Sequence, residues 1–434
     1  MAEPKRNISS THADRESSAI MATYLERTRK SAATHAVAES YLPGGTSRQA
    51  GYWPPYPITI ERGQGAHIWD VDGNRYIDLI NNYTSMVHGH AYPPIVEAVE
   101  RQVRCGTGWA ASCLPQTDLA EQLVTRVPSV DRIRFTNSGT EAGVLALTIA
   151  RVVTGRHKVL MARYGYHGSL TEFEVGTFGA EGPMTYLARF NDARDFEAVL
   201  AEHGAEIAAV FLEPVMGSGG IVAPAPSFLE DVMAAARKAG ALFVLDEVLT
   251  FRYGPGGFQG TVGIEPDLTM FGKLIGGGFP VGAVGGRNEY MAIFDPADMK
   301  AFHTGTYNAN PVTMTAGAVA VRELTPERIA EMDSLCGLLK EGLERAAREV
   351  GLPIAVNHVG STLNVYFSEA APESVAVRDD QEAMGRFHLA AMNHGLFLAS
   401  RGIIALSTVM TQSTVDEVLE RARAALADVA AEVG

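Results

Sequence analysis

The sequence predicts an α/β protein: a mostly parallel sheet covered by helices on both faces, joined to a smaller α+β domain. Three observations carry this. Continuous apolar runs at 158–161, 208–212 and 242–245 read as short strands buried on both faces. Helix-period segments at 196–203 and 228–239 lie between them, the alternation that builds a parallel sheet. From about Leu324 the pattern changes to Ala/Glu/Arg/Leu-rich helices at 329–350 and 415–433, with short strands near 361–367 and 403–407.

The remaining elements follow in chain order. Residues 1–40 read as a polar tail and then a helix, with Ile20, Met21, Tyr24 and Leu25 at helical spacing. The Tyr41-Leu-Pro-Gly-Gly45 run breaks that helix, and Pro54, Pro55 and Pro57 mark an irregular loop. Alternating runs over 58–78, with a turn at Asp72-Gly73-Asn74, predict a hairpin or small meander. The expected division is an N-terminal tail, helix and small-domain segment over 1–75, a large domain over 76–324, and a C-terminal small domain over 325–434.

Composition narrows the function. The 434 residues suffice for a large core, and 46% hydrophobic with 20% charged residues fits an ordinary globular chain. A net charge of −14 argues against a nucleic-acid partner, because phosphate backbones need clustered Lys and Arg. It leaves room for small anionic substrates held by one or two Arg. No apolar stretch is long enough to span a membrane, and the N-terminus lacks a signal-peptide core. Cys105, Cys113 and Cys336 make neither a disulfide framework nor a metal site, so the expected location is the cytoplasm, with no metal.

Four local features carry chemistry. Ser138 with Glu141 fits a capping box at the start of a helix, where free backbone N–H groups and the positive dipole end suit a phosphate. Asp246 ends a buried strand, where open α/β sheets place ligand groups. Lys273 is one of only seven lysines; it sits among apolar residues and precedes Gly276-Gly-Gly278. A desolvated amine there can form imines. Tyr166 follows the strand at 158–161 and can stack on a flat ring. Each feature alone is weak. Together they are what pyridoxal 5'-phosphate requires: a phosphate cradle, a stacking aromatic, an acid for the ring nitrogen and an imine-forming Lys.

At this point the chain resembles the class III aminotransferases of fold type I, the ornithine and 4-aminobutyrate type. The matching pieces are Asn137-Ser-Gly-Thr-Glu141, Tyr166-His-Gly168, Glu213-Pro214, Asp246-Glu-Val248, the stretch from Gly272 to Ala283 around Lys273, and Gly305-Thr306. They occur in the family's order, and the match runs from about Gly44 to the end. The resemblance implies a seven-stranded sheet in a cofactor-binding large domain. It implies Lys273 as the imine-forming Lys and Asp246 as partner of the ring nitrogen. Val248 and Tyr166 would sandwich the ring, and Ser138, Gly139 and Thr140 would hold the phosphate. Thr306 would reach the neighbouring subunit's phosphate, implying a homodimer with shared sites. Glu213 would lie near the phenolic oxygen.

Two branches resemble this chain most. The segments Val71-Asp-Gly-Asn74 and Pro266-Asp-Leu-Thr269 resemble glutamate-1-semialdehyde 2,1-aminomutase. The same stretches with Thr46-Ser-Arg48 and Ser400-Arg-Gly402 resemble aromatic β-amino acid aminotransferases. The latter resemblance implies Arg48 and Arg401 as carboxylate anchors and Tyr83 as a pocket wall. Residues 302–310 depart from the mutase pattern. Arg252 is a third candidate anion anchor, and Tyr52-Trp-Pro-Pro-Tyr56 a candidate apolar wall. The resulting expectation is a β-amino acid aminotransferase with an α-oxo acid acceptor and ping-pong kinetics. A mutase, or a transaminase of amines or of D- or α-amino acids, are alternatives. A non-catalytic binding role is remote, because Lys273 and Asp246 are both present and no helix-turn-helix pattern precedes the fold.

Overall fold

The structure is a computed structural model and describes residues 18–372 and 380–433; the polar tail expected before residue 18 lies outside the described residues. Helix α1 (Ala19–Arg27) is capped by Ser18, whose hydroxyl accepts from Met21 N, and buries Ile20 and Tyr24 as the spacing predicts. A second helix, α2 (Arg29–Glu39), follows directly. Residues 43–45 then turn sharply, with Gly44 and Gly45 both at positive φ. Strands β1 (Ile60–Gln64), β2 (His67–Asp70) and β3 (Arg75–Asp78) form the expected antiparallel meander. Strand β3 crosses the division drawn at residue 75.

Helices α3 (Pro93–Cys105) and α4 (Leu114–Arg126) lead into the large sheet. Its strands are β4 (Arg132–Thr136), β5 (Lys158–Ala162), β6 (Thr185–Ala188), β7 (Ile207–Leu212), β8 (Leu242–Asp246), β9 (Leu268–Gly272) and β10 (Gly282–Gly286). Their spatial order is β4-β10-β9-β8-β7-β5-β6, and only β10 runs against the others. Every residue of β7, β8 and β9 is buried, which is why β7 and the body of β8 read as apolar runs, while Thr269 interrupts β9. Helices α5 (Gly139–Thr154), α6 (Ala193–His203) and α7 (Phe228–Ala239) supply crossovers. α5 packs Ala142, Leu145, Ala146 and Ile149 in one cluster with Phe211 and Met270. α6 and α7 pack Phe196, Leu200 and Val232 with Val210 and Phe243 in another.

Helix α8 (Pro311–Glu323) leads to the C-terminal part: helix α9 (Pro326–Glu349), strands β11 (Ile354–Val359) and β12 (Thr362–Phe367), helix α10 (Gln381–Asn393), strands β13 (Leu396–Phe397) and β14 (Ile403–Ala405), and helix α11 (Gln412–Val433). β13 pairs in parallel with β3, Leu396 opposite Ile77. One apolar core accordingly joins the two ends of the chain: Ile20, Tyr24, Trp53 and Tyr76 pack with Leu339, Phe387, Val418 and Leu426.

Candidate active site

β4 and β9 both run antiparallel to β10 and are therefore parallel to each other. The C-terminal ends of β4, β5, β7, β8 and β9 thus share one edge of the sheet. They are followed by Ser138, Tyr166, Glu213, Asp246 (the last residue of β8) and Lys273, respectively. This convergence is the rule for ligand sites in open α/β sheets.

Ser138 is the N-cap of α5. Its hydroxyl accepts from Glu141 N at 3.1 Å, while the Glu141 carboxylate accepts from Asn137 N at 2.8 Å. The reciprocal cap thus closes one residue earlier than the predicted box, on Asn137. Gly139 and Thr140, in the first turn, have no intrahelical acceptor for their N–H groups. Neighbouring loops approach this turn closely. A Cβ on Gly168, at φ +101, would fall 2.6 Å from Thr140 Cα, and one on Gly282 would fall 2.0 Å from the Ser138 carbonyl. The Thr140 hydroxyl accepts from Ser169 N at 3.2 Å.

Asp246 is buried. Its Oδ1 accepts from Val248 N at 3.0 Å, and its Oδ2 lies 2.8 Å from His167 Nδ1. An ionised Asp246 therefore fixes His167 with the proton on Nδ1. Its Nε2 has no hydrogen-bond partner among the described residues. The sequence reading passed over His167; its one signal was its place beside Tyr166. Glu213 is buried, accepts from Tyr166 N at 3.0 Å and Gly217 N at 3.1 Å, and burial pushes its carboxyl up. Val248 faces Gly139 and Gly272, whose Cβ positions would lie 3.5 and 3.2 Å from it. Tyr166 is 48% exposed, leaving its ring free to cover a flat ligand.

Lys273 follows β9 with φ +50, a left-handed conformation uncommon for a residue with a Cβ. Burial pushes its amine below the usual range. Asp246 and Glu213 oppose that shift and Arg252 adds to it. The arrangement fits pyridoxal phosphate on the structure's own terms: a helix N-terminus for the phosphate, a floor at Val248 without competing Cβ atoms, a buried carboxylate and a desolvated amine.

A cavity of about 550 Å³ is lined by residues of the N-terminal segment and by 397–400, and by none of the strand-end residues just described. Its apolar wall includes Trp53, Ile58, Ile80, Met86 and Phe397, and Arg48, Asn82 and Tyr83 line it too. Arg48 Nη1 donates to Asn82 Oδ1 at 2.7 Å. Tyr83 feels the charges of both Arg48 and Arg401. Arg401 Nη1 reaches the Ser218 carbonyl at 3.5 Å, against the loop that begins at Glu213. Trp53 lines this cavity and also joins the core, with Tyr56 packed against it: Trp53 donates to Tyr24 Oη at 3.1 Å, and Tyr24 donates to the Tyr56 carbonyl at 2.7 Å.

Two expected residues stand elsewhere. Thr306 is exposed on the loop over 302–310, and no hydrogen bond among the described residues joins it to Ser138–Thr140 of its own chain. Arg252 is not an anion anchor. It is fully buried, with its donors taken by Ser361 Oγ and the carbonyls of Thr84 and Leu406. Among the described residues no group of His, Cys, Asp and Glu is arranged to hold a metal, and no helix is long and apolar enough to cross a membrane.

A family model described as aminotransferase class-III matches residues 49–429. The chain is 37% identical over 382 residues to a beta-phenylalanine transaminase of Variovorax paradoxus, covering 87% of this chain and 88% of that one. It is 35% identical over 421 residues to a glutamate-1-semialdehyde 2,1-aminomutase of Rhodopirellula baltica, covering 92% and 96%. The structure of an omega-transaminase from Sphaerobacter thermophilus superposes with a TM-score of 0.88 at 39% identity, over 92% of this chain and 97% of that one.

Proposed function

Since the chain belongs to the class-III aminotransferases, enzymes that depend on pyridoxal phosphate, we propose that it moves the amino group of an aromatic β-amino acid, such as β-phenylalanine, to an α-oxo acid. One observation carries the choice of substrate. Arg48 and Arg401 approach Tyr83 from opposite ends of the chain, and among the described residues neither forms an ion pair with a carboxylate. Their forks remain open to bidentate carboxylate binding. A ping-pong transaminase must hold two different acids in turn, and two anchors suit that. The apolar wall of the cavity that Arg48 and Tyr83 line suits an aromatic side chain.

When bound, pyridoxal phosphate supplies the carbonyl that takes the amino group and the ring that absorbs an electron pair. Gly139 and Thr140 N–H and the Ser138 hydroxyl would hold its phosphate, and Thr306 of the neighbouring subunit would complete the cradle in a homodimer. Asp246, held by His167, would keep the ring nitrogen protonated. Val248 and Tyr166 would cover the ring, and Glu213 would stand on its phenolic side. Lys273 Nζ, its affinity for a proton lowered by burial, would be the group that takes the proton from the amine-bearing carbon and gives it back.

The test is spectral. The holoenzyme, mixed with β-phenylalanine and no acceptor, loses its long-wavelength cofactor absorbance, and 2-oxoglutarate or pyruvate restores it. The aminomutase reading is supported to the same degree by the similarity of whole chains. It predicts 5-aminolevulinate from glutamate 1-semialdehyde alone. Bleaching by neither compound removes both readings and leaves simple amines and D- or α-amino acids.

The anchors are tested separately. Arg401→Ala raises the KM for the acceptor acid by about 10- to 100-fold, as expected for loss of a bidentate charge-assisted pair, with kcat far less affected. An unchanged acceptor KM rejects the assignment of Arg401.

A further inference from the structure

Arg252 is the largest fully buried side chain of the protein, and among the described residues no carboxylate pairs with it. The titratable groups facing it are Tyr253 and Cys336, with Lys273 and His88 also within electrostatic reach. Burying a guanidinium without a counter-charge is costly even after relaxation. Its bonds offset that cost: besides a weak contact of Nη2 with Met332 Sδ on α9 at 3.8 Å, they go to three separate segments. Nε donates to Ser361 Oγ at 2.6 Å, just before β12. Nη2 donates to the Leu406 carbonyl, just after β14. Nη1 donates to the Thr84 carbonyl at 3.2 Å.

The third segment is the informative one. Asn81, Asn82, Tyr83 and Thr84 have φ of 48, 48, 52 and 74, four successive residues in left-handed backbone without a glycine. Such a conformation is unfavourable for residues with a Cβ, so its surroundings must impose it. Asp78 Oδ1 accepts from both Ile80 N and Asn81 N at 2.9 Å. Asn81 Nδ2 donates to the Ala405 carbonyl at 2.7 Å. Arg252 holds the far end. The turn in turn sets Asn82 against Arg48 and places Tyr83 within reach of both Arg48 and Arg401.

We propose that Arg252 is a positioning residue: it bolts the left-handed turn Asn81–Thr84 to the loop after Asp246 and to the end of β14, and so fixes Tyr83 and Arg48 for substrate. It does not touch substrate itself. A lysine keeps the charge but lacks the fork that reaches three acceptors at once.

The test uses the holoenzyme and Arg252→Lys, with Ser361→Ala as a milder second variant that loosens the fork without removing it. In Arg252→Lys, amide exchange at Thr84, Ser85 and Met86 rises at least about tenfold, while β7 and β8 keep their protection. The KM for β-phenylalanine rises about tenfold with kcat within about twofold. In a Tyr83→Ala background the same substitution raises KM by clearly less than it does in the wild type, the remainder reflecting Arg48. Ser361→Ala moves exchange at the turn in the same direction by less. Exchange that rises uniformly, exchange at the turn that does not change, or a KM effect that simply adds to that of Tyr83→Ala overturns the proposal. The kinetic probe rests on the donor reading above. The exchange measurement does not, so failure of one is distinguishable from failure of the other.

Discussion

Replacing Lys273 by methionine is expected to lower turnover by about 10²- to 10⁴-fold, the scale of a lost general acid–base group. It is also expected to stabilise the cofactor-free fold. Methionine keeps most of the side-chain volume, so little cavity opens. The amine is the proton carrier in the proposed scheme, and no other lysine stands on this edge of the sheet. The stability effect has a definite sign. Lys273 titrates near 10.4 in the unfolded chain, and burial lowers that value in the folded one. Between the two values the unfolded chain binds more protons, so the wild type gains stability as pH rises. The advantage of Lys273→Met is therefore greatest below the folded-state pKa and disappears as pH climbs to the unfolded value. Denaturant unfolding of both cofactor-free chains across that range measures it. A difference that does not vary with pH would mean that Lys273 is solvated and not poised as a neutral base.

What the sequence disclosed and what it hid divide along physical lines. β7, β8 and α7 were legible because burial on both faces leaves an unbroken apolar run, and one-sided burial leaves a helical period. Ser138, Asp246 and Lys273 were legible as local chemistry at strand ends. β10 was not: Gly282-Ala-Val-Gly-Gly286 has almost none of the side chains that mark a strand. The structure supplies the reason, since a Cβ at Gly282 would collide with the Ser138 carbonyl and one at Gly285 with Val130. The turn at Asn81–Thr84 was hidden because it has no glycine and is imposed by groups from Asp78, Arg252 and β14. Arg252 was misread because a sequence shows that a cation follows Asp246 but not which side of the loop it takes. His167 was hidden for a related reason. Its partner is 79 positions away, and only the pairing of β5 with β7 and β7 with β8 brings the two together. The local rules found the groups that act, and long-range packing decided which neighbours hold them.

Asp246→Asn tests whether that holding matters. Asparagine has almost the same shape, and its side-chain oxygen can still accept from Val248 N or from His167 Nδ1. What it removes is the negative charge that, in the proposed scheme, keeps a proton on the ring nitrogen. A preorganised charge of this kind in a buried site is worth about 10²–10³-fold in rate. The expected result is a kcat lowered by about that factor with the cofactor still bound, because Ser138, Gly139 and Thr140 are untouched. The companion substitution, His167→Phe, keeps the Asp246 charge but removes its 2.8 Å partner. It frees Oδ2 to move, so it should cost less than Asp246→Asn, about tenfold, and combining the two should cost little more than Asp246→Asn alone. Full additivity would show that His167 acts apart from Asp246, in which case the pair would be a packing contact. An Asp246→Asn variant with normal kcat would show that the ring nitrogen needs no acidic partner here, and the assignment of the strand-end carboxylate would fall with it.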